Sequence, residues 1–138
     1  MTQEEKQLLL KDLCARLFYG VKVQAISVYG YTIQASIDGY CSSNNKFDID
    51  LRWRTLDEFK PYLRPMSSMT TEEEYEYHQC KNIDYLEICE MEHREMLKTT
   101  SLCFSRATDW LNKKGFDYRG LIEKGLALEA PEGMYKTK

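Results

Sequence analysis

The stretch Phe47-Asp48-Ile49-Asp50-Leu51-Arg52-Trp53-Arg54 alternates strictly between apolar and charged side chains. A period of two sends successive side chains to opposite faces of an extended backbone, so the run reads as a β-strand with one face in a core and one in water. The pattern predicts Phe47, Ile49, Leu51 and Trp53 on the buried face, and Asp48, Asp50, Arg52 and Arg54 on the wet one. Such a strand needs partners, and two candidates lie upstream. Val21, Val23 and Ala25 alternate with Lys22 and Gln24, and beyond Tyr29-Gly30-Tyr31 the residues Ile33, Ala35 and Ile37 share a side. Asp38-Gly39 and Ser42-Ser43-Asn44-Asn45 carry the turn chemistry that separates these runs. Three antiparallel strands in chain order follow from this reading.

Around them the period is helical. Thr2 and Glu5 have capping-box spacing, and Leu9, Leu10, Leu13 and Leu17 then recur at three and four residues until Gly20. Thr55 and Glu58 repeat the cap, which predicts a short helical turn over Leu56 and Phe59 ending near Pro61. Arg64 to Ser68 reads as a connector. Thr70 with Glu73 opens another helix, with a break near Lys81-Asn82 and helical character again from Asp84 to Lys98. A last helix carries Ala107, Trp110 and Leu111 and closes at Lys113-Lys114-Gly115. After Phe116 come a turn and an extended piece from Leu126 to Leu128, and the tail from about residue 131 reads as frayed. The expected fold class is therefore α+β: an amino-terminal helix, a three-stranded antiparallel meander, covering helices and a short carboxyl-terminal segment. At 138 residues the whole chain reads as a single domain.

Composition narrows the functional classes. No apolar run approaches the roughly 20 residues of a membrane-spanning helix. The opening MTQEEKQLLLKDL is acidic and amphipathic, unlike a secretory leader. Five irregularly spaced cysteines suit a reducing compartment better than a disulfide scaffold, which points to the cytoplasm. The net charge is −3, yet residues 70–98 carry nine acids and three bases, so that segment is −6 and the rest is +3. A protein that coats nucleic acid must neutralise many phosphates, and this balance argues against that role.

No phosphate loop, dinucleotide fingerprint, hydrolase elbow or zincin motif is present. Cys89 and His93, four residues apart, would share a helix face and are the weak metal candidates. His78 and Cys80 lack the spacing to complete a zinc site. Isolated thiols explain these residues more simply, and no cofactor is expected. Arg52, Trp53, Arg54, Lys60 and Arg64, with Tyr29, Tyr31 and Tyr62 available for stacking, form the one patch that suits a nucleic acid.

Three stretches resemble a family of uncharacterised proteins from Bacteroides-type gut bacteria and their phages and mobile elements. They are KDLCARL with Gly20-Val21-Lys22-Val23, KPYLRPMSSM over Lys60 to Met69, and FDYRGLIEKGLALEAPEGMYK over Phe116 to Lys136. Phe18 stands where that family often has proline, and Tyr75 to Ser105 lies outside the resemblance. The resemblance implies a cytoplasmic accessory protein and carries over no catalytic residue. It directs attention to Tyr62, Arg64, Asp117, Tyr118 and Arg119 as a polar cluster, in which Arg64 and Arg119 are expected to pair with acids and lock connectors. The sequence thus reads as a small cytoplasmic interaction or adaptor protein without turnover, acting on a protein partner. A nucleic-acid-binding accessory factor of a mobile element is the alternative, and a metal-dependent or cysteine enzyme is third.

Overall fold

The computed structural model describes residues 1–81 and 105–135. Helix α1 spans Gln3–Arg16 and begins as its cap dictates: the Thr2 hydroxyl accepts from the Glu5 amide at 3.1 Å, while the Glu5 carboxylate accepts from the Thr2 amide at 3.2 Å. Leu9 and Leu13 are fully buried on its inner face. Asp12 and Arg16 occupy the same stripe, at the positions where a purely apolar helix would place two more leucines. A 3-10 turn at Leu17–Tyr19 ends at Gly20, whose φ of 84° suits a residue without Cβ.

The fold class is α+β, and the sheet is mostly antiparallel, with seven strands among the described residues rather than three. These are β1 (Lys22–Ile26), β2 (Thr32–Cys41), β3 (Lys46–Ile49), β4 (Arg52–Arg54), β5 (Phe59–Pro65), β6 (Phe116–Asp117) and β7 (Leu128–Glu129). The spatial order is β4-β3-β2-β1-β5-β6, and β7 lies against β5. Strand β2 pairs with β1 through residues 32–36 and with β3 through residues 37–41, and the register shifts between Ile37 and Gly39. That irregularity lets one long strand serve both halves of the sheet. Phe47 of β3 meets Phe59 of β5 edge to face, with ring centroids 5.6 Å apart. Val21, Val23, Ala25, Ile37, Phe47, Ile49 and Phe59 join Leu9 and Leu13 in one core. Each valine, leucine, isoleucine and phenylalanine of this set stabilises the fold by roughly 1.5–3 kcal/mol through burial.

The alternating run does not stay one strand. Asp50 and Leu51 adopt φ of 53° and 62°, making a tight turn, and β4 folds back on β3 with Phe47 opposite Arg54, Asp48 opposite Trp53 and Ile49 opposite Arg52. Residues directly opposite share a face, so the turn inverts the expected sidedness beyond residue 50. Phe47 and Ile49 are buried as expected. Leu51 and Trp53 are instead 96% and 49% exposed, and Arg54 is sealed inside. Its guanidinium donates to the carbonyl of Ile49 and, at 2.9 Å, to that of Ile26, tying β4 to the end of β1.

A second correction concerns residues 56–65. The Thr55–Glu58 cap forms, but over a 3-10 turn of only Leu56–Glu58, and Phe59 is already extended. Strand β5 carries Pro61 and Pro65 and takes in Arg64 and Pro65 of the expected connector, whose remainder, Met66–Ser68, is a 3-10 turn. Helix α2 (Thr71–Lys81) starts at the predicted Thr70–Glu73 cap. Residues 105–114 are helical and stop at Gly115, where φ is +81°. The helix expected over Asp84 to Lys98 lies outside the described residues.

The segment read as a fraying tail is held by Tyr135. Its hydroxyl accepts from the Lys22 amide at 3.0 Å and donates to the Tyr62 carbonyl at 2.6 Å, bridging β1 and β5. Its ring lies so close to Gly115 that a Cβ there would come within 2.7 Å. Burial pushes the Tyr135 hydroxyl up to about 12, so it remains neutral in this role.

Candidate functional site

Most of the polar residues singled out by sequence prove to be internal ties. Arg119 donates to Asp12 at 2.8 Å, and Arg16 grips the same carboxylate through Nε at 2.8 Å and Nη2 at 3.1 Å. Arg16 Nη2 also donates to the Phe116 carbonyl at 2.6 Å, so a helix near the amino end is fastened to a strand a hundred residues later. The Tyr118 hydroxyl accepts from Arg119 at 2.8 Å and donates to Asn112 at 2.9 Å. Asp117 faces the next turn and accepts from the amides of Leu121 and Ile122, both at 2.9 Å. Two cations on one carboxylate, all substantially buried, make a junction whose charges are matched only while every member is present.

Arg64 belongs to a different junction. It forms a bidentate pair with Glu73, both contacts at 2.7 Å, and its guanidinium lies 4.2 Å from the centroid of Phe116, on which Trp110 also stacks. The Arg64 guanidinium holds the Glu73 carboxyl down to about 2. Tyr62 is buried and contributes its carbonyl to Tyr135. The structure thus brings Asp117, Tyr118 and Arg119 together with Asp12 and Arg16, and leaves Arg52 alone on the surface. Arg54 and Arg52 do not form a common basic face. Cys89 and His93 lie outside the described residues, and among the described ones no three histidine, cysteine or carboxylate side chains gather as metal ligands.

The surface also gathers the residues of the aromatic turn, two of which, Tyr29 and Tyr31, the sequence offered for stacking. Between β1 and β2, Ile26, Val28, Tyr29 and Tyr31 are 60%, 70%, 83% and 69% exposed. The loop beneath them is fixed. The Ser27 amide donates to the Tyr31 carbonyl at 2.7 Å, the Gly30 amide to the Ser27 carbonyl at 3.0 Å, and the Ser27 hydroxyl lies within hydrogen-bonding distance of the amides of Tyr29 and Tyr31. Gly30, at φ 85°, completes a tight hairpin of the type that ends in a left-handed residue. Four large apolar side chains within six residues are therefore presented to solvent on a rigid support. The signal was present as Val28-Tyr29-Gly30-Tyr31, where aromatic residues occupy a turn that polar ones would ordinarily fill. No protein family, curated protein or solved structure gives a significant match to the chain.

Proposed function

We propose that the chain is a small interaction protein that docks a protein partner through the tip of its β1–β2 hairpin. The observation that carries this reading is the exposed set Ile26, Val28, Tyr29 and Tyr31 on a turn locked by Ser27. Exposed aromatic clusters of this kind favour association, because tyrosine buries much surface at small entropic cost. A turn already rigid in the free protein loses little further freedom on binding. The alternative of a nucleic-acid surface has less support. Two of its four cations, Arg54 and Arg64, are occupied by internal contacts. The cytoplasmic setting rests on the cysteine usage and the sequence resemblance, and the link to mobile elements on the resemblance alone.

The test compares tagged wild-type protein with a Tyr29→Ser/Tyr31→Ser variant as bait in native lysate. A partner held by the wild type and weakened at least about thirtyfold by the double substitution is expected, since central aromatic contacts cost about 2 kcal/mol or more when removed. The urea midpoint should be unchanged, because neither ring belongs to the core. Equal recovery by both baits overturns the reading, as does retention on DNA that weakens steeply with salt.

A further inference from the structure

A groove of about 520 Å³ runs between the first turns of α1, strand β1, the start of β5 and the loop at residues 124–126. Its floor is apolar, built by Leu9, Ala25, Leu56, Phe59 and Leu126. Five charged side chains line its rim, and their states differ. Glu5 is committed to the Thr2 cap, Glu58 accepts from the amide and hydroxyl of Thr55 at 3.1 and 3.0 Å, and Asp57 pairs with Lys6 at 3.4 Å. The caps hold the Glu5 and Glu58 carboxyls below the usual range, so both remain charged and satisfied. Lys60 and Lys124 are exposed on the same rim, where Lys124 is near enough to Glu5 to help lower its carboxyl, and neither lysine forms a hydrogen bond or a close ion pair among the described residues. Acids outnumber basic side chains around the opening, but the Glu5 and Glu58 carboxylates are engaged by their caps and Asp57 by Lys6, so the two lysine ammonium groups are the rim charges whose donors remain open to a ligand.

An apolar floor with a few polar groups at its margin is the usual make-up of a small-molecule site, and the volume lies within the range of roughly 300–1,000 Å³ typical of such sites. We infer that this groove binds an amphipathic anion, an apolar chain ending in a carboxylate, with the chain on the Leu9–Phe59–Leu126 floor and the carboxylate met by Lys60 and Lys124. Long lysine stems can follow a headgroup over several ångströms while covering part of the apolar tail. The site stands independently of the hairpin tip, with which it shares only Ile26.

Isotope-labelled full-length protein titrated with decanoate, decan-1-ol and decyltrimethylammonium, each below its aggregation concentration, tests the inference by amide chemical-shift mapping. Decanoate is expected to shift the amides of Leu9, Ala25, Phe59 and Leu126 saturably, and to bind at least about fivefold more tightly than decanol, the increment of a pair of exposed ionic contacts. A Lys60→Glu/Lys124→Glu variant should reverse the order, weakening decanoate and strengthening the cationic amphiphile. Absence of saturable shifts, equal affinity for the three headgroups, or an unchanged order in the variant overturns it. The wild-type comparison alone decides the matter if the variant is poorly folded. Cosedimentation with phosphatidylglycerol vesicles in place of monomer binding also overturns it, assigning the surface to a membrane instead.

Discussion

Removing the carboxylate at Asp12 should destabilise the protein more than any surface substitution. Asp12 is fully buried, accepts from both Arg16 and Arg119, and is the sole carboxylate among the described residues bonded to either. In Asp12→Ala the Arg16 guanidinium, 1% exposed, keeps the Phe116 carbonyl as its one hydrogen-bond acceptor among the described residues, beside the Tyr118 ring; its Nη1 has no hydrogen-bond partner there even in the intact junction. Stranding a buried charge in this way costs about 3–5 kcal/mol, against a total stability of roughly 5–15 kcal/mol for a domain. With a urea slope of about 1.5 kcal/mol per molar, the unfolding midpoint should fall by about 2–3 M. Asp12→Leu combined with Arg16→Met is the control. It removes both charges together, leaving the Phe116 carbonyl unmet and Arg119, whose side chain is 17% exposed, free to turn toward water. That double variant should lose only about 1–2 kcal/mol, the cost of one unsatisfied buried acceptor. A single-variant loss below about 1 kcal/mol, or a double variant as damaged as the sum of its parts, would show that water already solvates the junction and refute the reasoning.

Three further outcomes are expected. Leu51 holds a left-handed conformation at φ 62° and is 96% exposed, so Leu51→Gly should raise stability by about 0.5–1 kcal/mol in urea melts; a loss would mean the side chain has a packing role. Glu73 titrates at about 2 in the folded protein, below the ordinary value of 4.5, so its pair with Arg64 stabilises above about pH 4.5 and loses that contribution as pH falls through 2. The loss should be about 1–2 kcal/mol after discounting for partial exposure, and Glu73→Gln should remove this part of the acid dependence. Tyr135 has the opposite sign: with its folded value raised to about 12 from 10, its contribution is complete below pH 10 and disappears as pH rises through 12. Alkaline unfolding followed by circular dichroism should shift upward in Tyr135→Phe relative to its own stability at pH 8, since phenylalanine carries no proton to lose.

Elements with a local cause were legible. The Thr2–Glu5 and Thr70–Glu73 caps place two helix starts, and the leucine spacing identifies the buried face of α1. Missing from that reading were Asp12 and Arg16, although they lie four apart within the same stripe. Spacing alone cannot distinguish a buried ion pair from two solvated charges, because the partners that justify burial, Phe116 and Arg119, are a hundred residues away. Strand β5 was hidden for a related reason. Two prolines weaken its local signal, and its pairings with β1, β6 and β7 are all supplied from elsewhere in the chain. The expectation that Arg64 and Arg119 would lock connectors matches their contacts with Glu73 and Asp12.

The turn at Asp50-Leu51 shows how one local choice redistributes chemistry over the surface. Had the run from Phe47 to Arg54 stayed a single strand, Trp53 would have entered the core and Arg54 would have faced water, free to meet a phosphate. Two residues in the left-handed region reverse this: the tryptophan becomes half exposed, and the arginine is consumed in bolting β4 to the end of β1. Arg16, Arg64 and Arg119 are consumed in the same way, each at a seam between segments distant in sequence or structure. A cation already satisfied by a buried carbonyl or carboxylate offers little to a ligand, because recruiting it would leave its former partner unmet. Binding is therefore better sought where side chains have no hydrogen bond or close ion pair among the described residues to lose, and the hairpin tip at residues 26–31 and the lysines flanking the α1–β5 groove meet that condition.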